Sequence, residues 1–293
     1  MSMICSSCSK SIDSDSFYCK YCGVKVHLEY STKPLSFGDI FNKIHSTLRE
    51  TTKLSNTEFD AKFGIYKMYE NRSLTDDQYY SILVDVIFYS GFKAATVDKY
   101  IKNIHNHFPS IDVVIKYTES DLIDIANDPN IIQNQSKIRA CFKNALVMHE
   151  IIQKHESFSN YVDFMNPNKD EKSLYNFKHA LERQFHFLGG ITSFHFMTDI
   201  GLNVIKPDRV IIRIFKRLSL IEHDKDILKA IEIGRQMSKS TGYPIRYIDV
   251  ILVLYGQLNH LGIVSICTEV NPKCELCKLK QNCSYYMSKE ERA

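Results

Sequence analysis

Residues 185–218 read FHFLGGITSFHFMTDIGLNVIKPDRVIIRIFKRL, and the fold turns on how they are read. An apolar run enters Gly189-Gly190, a dipeptide suited to a turn with positive φ. A helical pattern follows through Phe194 and Met197 to Gly201, with Asn203 as a polar stop. Pro207-Asp208 opens a second helix. On it Val210, Ile211, Ile214, Phe215 and Leu218 share one face, while Arg209, Arg213, Lys216 and Arg217 crowd the other. A helix, a glycine hairpin and a second helix present turn amides to a phosphate, because unsatisfied N–H groups at a helix N-terminus attract anions. Asp208, at the start of the basic helix, stands where a carboxylate would sit beside that phosphate. Taken alone, an Asp after Pro reads as a helix cap.

The rest of the chain bounds the possibilities. It has 293 residues, 44% of them hydrophobic, enough for one large core or two lobes. A net charge of +3 neither demands nor excludes nucleic acid, so local clustering decides. No apolar run is long enough to span a bilayer, and MSMICSSCSK at the N-terminus lacks a secretory apolar core, so a cytoplasmic protein is expected. Nine cysteines in such a chain point to metal sites in a reducing compartment. Eight fall into two groups of four at the two ends. Cys141 stands alone in a helical pattern and reads as a small buried apolar residue.

In residues 1–26, Cys5, Cys8, Cys19 and Cys22 form two C-x2-C pairs separated by ten residues. Four thiolates at this spacing suit tetrahedral Zn²⁺ in a ribbon too short to fold without the metal. Residues 27–35 read as a linker. From Ser36, a helix start with Asp39 three residues on, the pattern is helical to the end. Helices are expected at 37–50 and 56–70, then from Asp76 or Asp77 to Gly91, and from Ala94 to His105. Ser120 is expected to cap a short helix, and a long one follows the polar QNQS loop. Residues 166–175 read as a surface loop. Further helices are expected from Asp224 and from Tyr243-Pro244.

Ser90-Gly91-Phe92, the run IIQNQSKI (131–138), Asn144-Ala145, Tyr161-Val162-Asp163-Phe164 and the hairpin stretch 185–202 resemble the 3-methyladenine DNA glycosylase I family. More broadly, the hairpin followed by Asp208 resembles the helix-hairpin-helix DNA glycosylases, the endonuclease III superfamily. There the hairpin grips the DNA backbone and the following Asp assists base loss. Two positions depart from the 3-methyladenine pattern. The family's pocket acid and Trp fall on Val86 and Ala94, with Asp85 adjacent, and this chain has no Trp at all. A smaller, less acidic wall implies room for a larger base.

The chain closes with Cys267-x6-Cys274-x2-Cys277-x5-Cys283 after Leu254-Tyr255-Gly256. This spacing resembles the 4Fe-4S loop of endonuclease III and its adenine-removing relative. Four thiolates are the usual ligands of such a cluster. A four-cysteine set also suits zinc, but the uneven spacing fits an iron–sulfur cubane better than paired knuckles. Lys273, Lys278 and Lys280 give the loop positive charge, opposed by Glu269.

These resemblances imply an all-α, two-lobed glycosylase fold. The divisions are a zinc ribbon (1–26), a linker (27–35), N-terminal helices on the cluster lobe (36–73), a helical lobe with the hairpin (75–202), and a cluster lobe with Asp208 (203–293). Asp208 would stabilise oxocarbenium character on the sugar. Leu188, Gly189, Gly190, Thr192, Ser193, Arg209 and Lys273 would contact double-stranded DNA. Asp85, Phe88, Tyr89 and Phe92 would line a pocket for a flipped base. Bifunctional relatives carry a Lys just after the hairpin, a position that falls here on Phe194 or Ser193. No amine stands there, and Lys206 would have to reach in from elsewhere, so a monomeric, monofunctional glycosylase is expected. Its substrate divides between an alkylated purine, uracil or a mismatched or oxidised base, and a bulky phage-type base such as glucosylated hydroxymethylcytosine, the last implying phage defence. The competing reading is a non-catalytic DNA-binding or damage-sensing protein using the ribbon, the hairpin and the basic face at 209–217.

Overall fold

Cysteine placement governs the first unit of the chain, Met1–Leu35. In the computed structural model, which describes residues 2–5, 7–13, 18–24, 35–69, 72–258 and 261–290, β1 (Ser2–Ile4) pairs antiparallel with β2 (Ser11–Asp13), Met3 opposite Ile12. The chain turns tightly after each first cysteine of a pair: the Ser9 N–H donates to the Cys5 carbonyl at 2.9 Å, and the Gly23 N–H to the Cys19 carbonyl at 2.8 Å. Cys5, Ile12 and Cys19 make a small core. The expected linker lies outside the described residues except for Leu35.

The second unit, Ser36–Ala293, is helical among the described residues. Its helices are α1 (Phe37–Thr51), α2 (Asn56–Phe63), α3 (Asp76–Tyr89), α4 (Ala94–Val97), α5 (Ile101–His107), α6 (Ile111–Val114), α7 (Glu119–Asn127) and α8 (Gln135–His155). There follow α9 (Phe158–Met165), α10 (Glu171–Gln184), α11 (Ile191–Asp199), α12 (Arg209–Arg217), α13 (Ile227–Thr241), α14 (Ile245–Gly256) and α15 (Ser284–Glu290). No helix among the described residues is long and apolar enough to cross a membrane.

Packing sorts these helices into two groups. In one, α1 lies against α13 and α14, and α12 against α14 and α15. In the other, α3 and α8 form the centre, with α6, α7 and α9 on α8 and α11 on α3. Helix α11 also touches α14 and so joins the groups. Phe41, Phe59, Phe215, Tyr247 and Tyr255 fill the first core; Phe88, Phe158, Phe177, Phe194 and Phe196 fill the second. Full burial of an apolar side chain of this size contributes about 1.5–3 kcal/mol, so these aromatics dominate the packing. Cys141 is fully buried among them, as expected for a small apolar residue.

Several boundaries differ from the sequence reading. Thr75, not Asp76 or Asp77, caps α3, in a capping box with Gln78. The two aspartates instead accept the N–H groups of Phe158 and Ile111, tying α9 and α6 to the start of α3. Thr118, not Ser120, caps α7, with Asp121 reaching back. The expected helix at 56–70 passes at Phe63 into a 3-10 turn over Gly64–Met68. Helix α10 starts inside the expected loop, because Asp170 accepts the Ser173 N–H at 2.7 Å.

Candidate active site

The hairpin is built from both sides. Asn144 on α8 clamps its entry: Nδ2 donates to the His186 carbonyl at 3.0 Å, and Oδ1 accepts the His186 N–H at 2.8 Å. Gly190 has φ +59 and ψ −116, a conformation that L side chains avoid, so the turn needs glycine there. Thr192 closes it, its N–H and hydroxyl donating to the Gly189 carbonyl at 3.2 and 2.6 Å. The Ser193 hydroxyl donates to the Gly190 carbonyl at 2.8 Å. Leu188 and Ser193 are fully buried, so neither is exposed to contact DNA as the sequence reading expects. The Gly190 N–H, expected to face a phosphate, donates to Glu182 Oε1 at 2.9 Å. Glu182 in turn pairs with Lys178 at 2.6 Å. A carboxylate of the chain itself therefore holds the place of an anion at the hairpin.

Beneath the hairpin lies Lys137, only 4% exposed. Its Nζ donates to the carbonyls of Ile87 and Ser90 at the end of α3. It also sits 5.3 Å from the Phe92 ring and 4.8 Å from that of Phe187. Burial pushes its ammonium down to about 8.

Asp208 is the N-cap of α12. Its Oδ1 accepts the N–H groups of Val210 at 2.9 Å and Ile211 at 3.1 Å, and its Oδ2 lies 3.3 Å from Lys206 Nζ. Helix α12 is held close to α14, where a Cβ on Gly256 would stand 2.5 Å from Val210 Cγ1. Behind Asp208 runs a chain of buried charges. Asp249 Oδ1 accepts the Lys206 N–H at 3.0 Å, and its Oδ2 lies 2.8 Å from Arg246 Nη1. Arg246 Nε is 2.8 Å from Asp199 Oδ1, whose other oxygen is 3.2 Å from His195 Nε2. The Arg246–Asp199 contact is an ion pair by distance without hydrogen-bond alignment, since both atoms lack such a bond. Burial pushes the Asp249 carboxyl up, against Arg246 and Lys206. Burial also opposes the charged form of Asp199, but Arg246 and His195 outweigh it and hold that carboxyl well below its usual range. Sequence reasoning missed this network, because its members are helical residues far apart in the chain with no local signature.

The four expected pocket residues have separate partners. Phe88 is fully buried in the core. Asp85 pairs with His105 Nε2 at 2.8 Å, and the other ring nitrogen lies 3.3 Å from the Ser81 hydroxyl. The Tyr89 hydroxyl donates to Asp98 Oδ1 at 2.5 Å. Phe92 is half-buried beside Lys137. Asp98 was not anticipated as a member of this region.

The four N-terminal sulfurs lie within 4.8 Å of one another, with Cys5–Cys22 at 3.7 Å and Cys8–Cys19 at 3.5 Å. Metal–sulfur bonds of about 2.3 Å place tetrahedral ligands about 3.8 Å apart, so this set fits a single ion. The C-terminal cysteines differ. The Tyr255 hydroxyl donates to Cys277 Sγ at 2.8 Å, the Leu279 N–H to the same sulfur at 3.3 Å, and Arg217 Nη1 to Cys267 Sγ at 3.3 Å. Arg217 also donates to the carbonyls of Thr268 and Glu269, and Arg213 to those of Gly256 and Cys267. Two members of the basic face thus hold the cysteine loop, and Lys216 pairs with Asp224 at 2.9 Å. Arg209 and Lys273 remain exposed.

Residues 71–206 match the family model for methyladenine glycosylase. No match was found among curated proteins. A trapped endonuclease III–DNA covalent intermediate is similar over 85% of this chain and 98% of its own, at 15% identity and TM-score 0.51. A 3-methyladenine DNA glycosylase I from Staphylococcus aureus is similar over 54% of this chain and 91% of its own, at 18% identity and TM-score 0.42. A thermostable thymine-DNA glycosylase is similar over 85% of this chain and all of its own, at 16% identity and TM-score 0.48. The chain thus carries the fold of the helix-hairpin-helix DNA glycosylases, with a segment at 71–206 that matches the methyladenine glycosylase family.

Proposed function

We propose that this protein is a DNA N-glycosylase that flips a damaged or modified base out of the duplex and hydrolyses its N-glycosidic bond, leaving an abasic site. The observation that carries the reading is Asp208, a carboxylate whose side chain is 22% exposed, fixed at the start of α12 by two backbone N–H groups. Loss of the base builds positive charge on the sugar. A carboxylate fixed beneath C1′ stabilises that charge and orients water without reorganising during the reaction. The flipped base costs a few kcal/mol of stacking, offset in part by aromatic contacts; Tyr89 and Phe92 are the half-buried aromatics available for it. Phe194 and Ser193, the register positions of a hairpin lysine, carry no amine, which supports water as the nucleophile of the base-loss step.

Two metal groups complete this reading. Zinc at Cys5, Cys8, Cys19 and Cys22 suits the tight all-thiolate set. A 4Fe-4S cluster at Cys267, Cys274, Cys277 and Cys283 suits a wider set whose sulfurs receive donors from Tyr255, Leu279 and Arg217. Burial pushes the thiols of Cys274, Cys277 and Cys283 up, so thiolates there call for a bound positive centre. Such a cluster would brace α12 and α15 and would take all four cysteines as ligands.

A second substrate reading has its own support. Val86 and Ala94 carry neither the acid nor the broad aromatic side chain of a 3-methyladenine pocket. That favours a bulkier base, such as glucosylated hydroxymethylcytosine. Duplexes carrying methylated purines, uracil, oxidised bases or glucosylated hydroxymethylcytosine test both readings, with free base followed by mass spectrometry. Release of one base class names the substrate. Tight DNA binding with no release from any duplex points to a non-catalytic binding protein instead.

A further inference from the structure

Among the described residues, no carboxylate pairs with the buried Lys137. Its Nζ donates to the Ile87 carbonyl and, at 2.7 Å, to the Ser90 carbonyl. An ammonium carries three N–H donors, and no acceptor among the described residues takes the third. Two rings stand beside it: Phe187, 4.8 Å from Nζ and 38% exposed, and Phe92, 5.3 Å away and half-buried. Phe187 has φ +64, a left-handed conformation that bulky residues seldom adopt. It is held there from both sides: the fully buried Asn144 clamps His186, and Leu188 is fully buried. A Cβ on Gly91 or Gly189 would meet no atom within 4 Å, so the chain near each ring leaves open space. An unpaired buried charge and a strained backbone both cost the fold stability, and together they mark a site for a ligand. We propose that Lys137, Phe92 and Phe187 form the recognition site for a neutral base that carries a ring carbonyl, such as a pyrimidine. The rings offer apolar faces for stacking, and the unused N–H takes the carbonyl oxygen. This site rests on the glycosylase reading above and names its substrate class.

Charge decides between the substrate classes. An alkylated purine in DNA carries a positive charge, which a buried ammonium repels. It departs as a neutral base and needs no help with its charge. A neutral base departs with the electron pair of the broken C1′–N bond, and its negative charge spreads onto the carbonyl oxygen. The Lys137 N–H donates to that oxygen as the charge grows, in a buried setting where such a bond is strongest. Water supplies hydroxide to C1′ and a proton to the base nitrogen. No oxidant or reductant enters.

Lys137 also holds the last carbonyls of α3, so the test must separate recognition from that structural role. The full-length protein is titrated with uracil and with unsubstituted pyrimidine, the same ring without carbonyl oxygens, and binding is followed by ligand-observed NMR. We expect saturable uracil binding, with pyrimidine weaker by about tenfold or more, the difference made by one charge-assisted hydrogen bond. Lys137→Met should remove the difference between the two rings. Phe187→Gly guards against a variant that fails to fold, because glycine adopts φ +64 freely. It should keep the wild-type circular dichroism and weaken uracil binding by about tenfold. No uracil binding by the wild-type protein, equal binding of the two rings, or undiminished uracil binding in Phe187→Gly would overturn the proposal. The free ring has no bond to cleave, so a failure of the glycosylase reading shows separately, as uracil binding without base release from any duplex.

Discussion

Arg246→Met breaks the buried charge pairs behind Asp208 while keeping most of the side-chain stem. Arg246 is 14% exposed and lies 2.8 Å from both Asp199 and Asp249, the latter only 1% exposed. Removing one member of a buried ion pair strands its partner and costs about 3–5 kcal/mol. The pH dependence follows from the two carboxyls. Burial already pushes Asp249 up, with Arg246 the main opposing influence. Without Arg246 it rises further, so the folded state holds a proton that the unfolded state releases, and stability falls as pH rises through the folded value. Asp199 is held below its ordinary value of 3.8, against burial, chiefly by Arg246 and then by His195. That pair contributes stability above the unfolded value which is lost as pH falls through the folded one, and the variant forfeits it. Both effects widen the gap between wild type and variant toward neutral pH and narrow it in acid. Urea unfolding followed by circular dichroism at about pH 8, 6 and 4 reads the gap directly. A difference under about 1 kcal/mol at the highest pH, or one that does not change with pH, would show that Arg246 does not hold these carboxylates in their charged form. Adding Asp249→Asn to the variant should recover part of the loss by deleting the stranded charge.

Three further outcomes are expected. Glu182→Gln removes a negative charge from the Gly190 amide, worth about 1 kcal/mol or roughly fivefold in duplex affinity by fluorescence anisotropy; unchanged or weaker binding contradicts the hairpin's assignment as a phosphate site. Tyr255→Phe deletes the 2.8 Å bond to Cys277, and the visible absorbance of the proposed iron–sulfur cluster should decay faster in air while the helical signal persists. Chelation should release about one zinc ion per chain and expose the segment before residue 24 to protease, with the unfolding transition of the helical unit unchanged.

Helix content was legible because apolar spacing at α8, α12 and α14 survives without tertiary context. Caps were less so. Asp76 and Asp77 satisfy a local capping rule, but their carboxylates bond α9 and α6 instead, and only the fold reveals that use. The basic stripe on α12 was readable, yet its purpose was not: Arg213 and Arg217 hold carbonyls of the cysteine loop some fifty residues away. Asp85 was the natural candidate for reading a base; His105, brought in by α5, takes it. Lys206 was visible only as a nearby lysine, because nothing local says that its side chain meets Asp208. The cysteine spacings were legible throughout, since ligand spacing is a short-range property of the chain.

In the proposed reaction the Asp208 carboxylate drives base loss. Asparagine caps a helix as well as aspartate does, so Asp208→Asn leaves an acceptor for the Val210 and Ile211 N–H groups and removes only the charge. The measurement is the single-turnover rate of base release from the duplex that the wild-type protein cleaves, with DNA affinity determined alongside. The rate should fall by about 100-fold or more at nearly unchanged affinity; a rate within about tenfold of wild type would show that the carboxylate is only a helix cap.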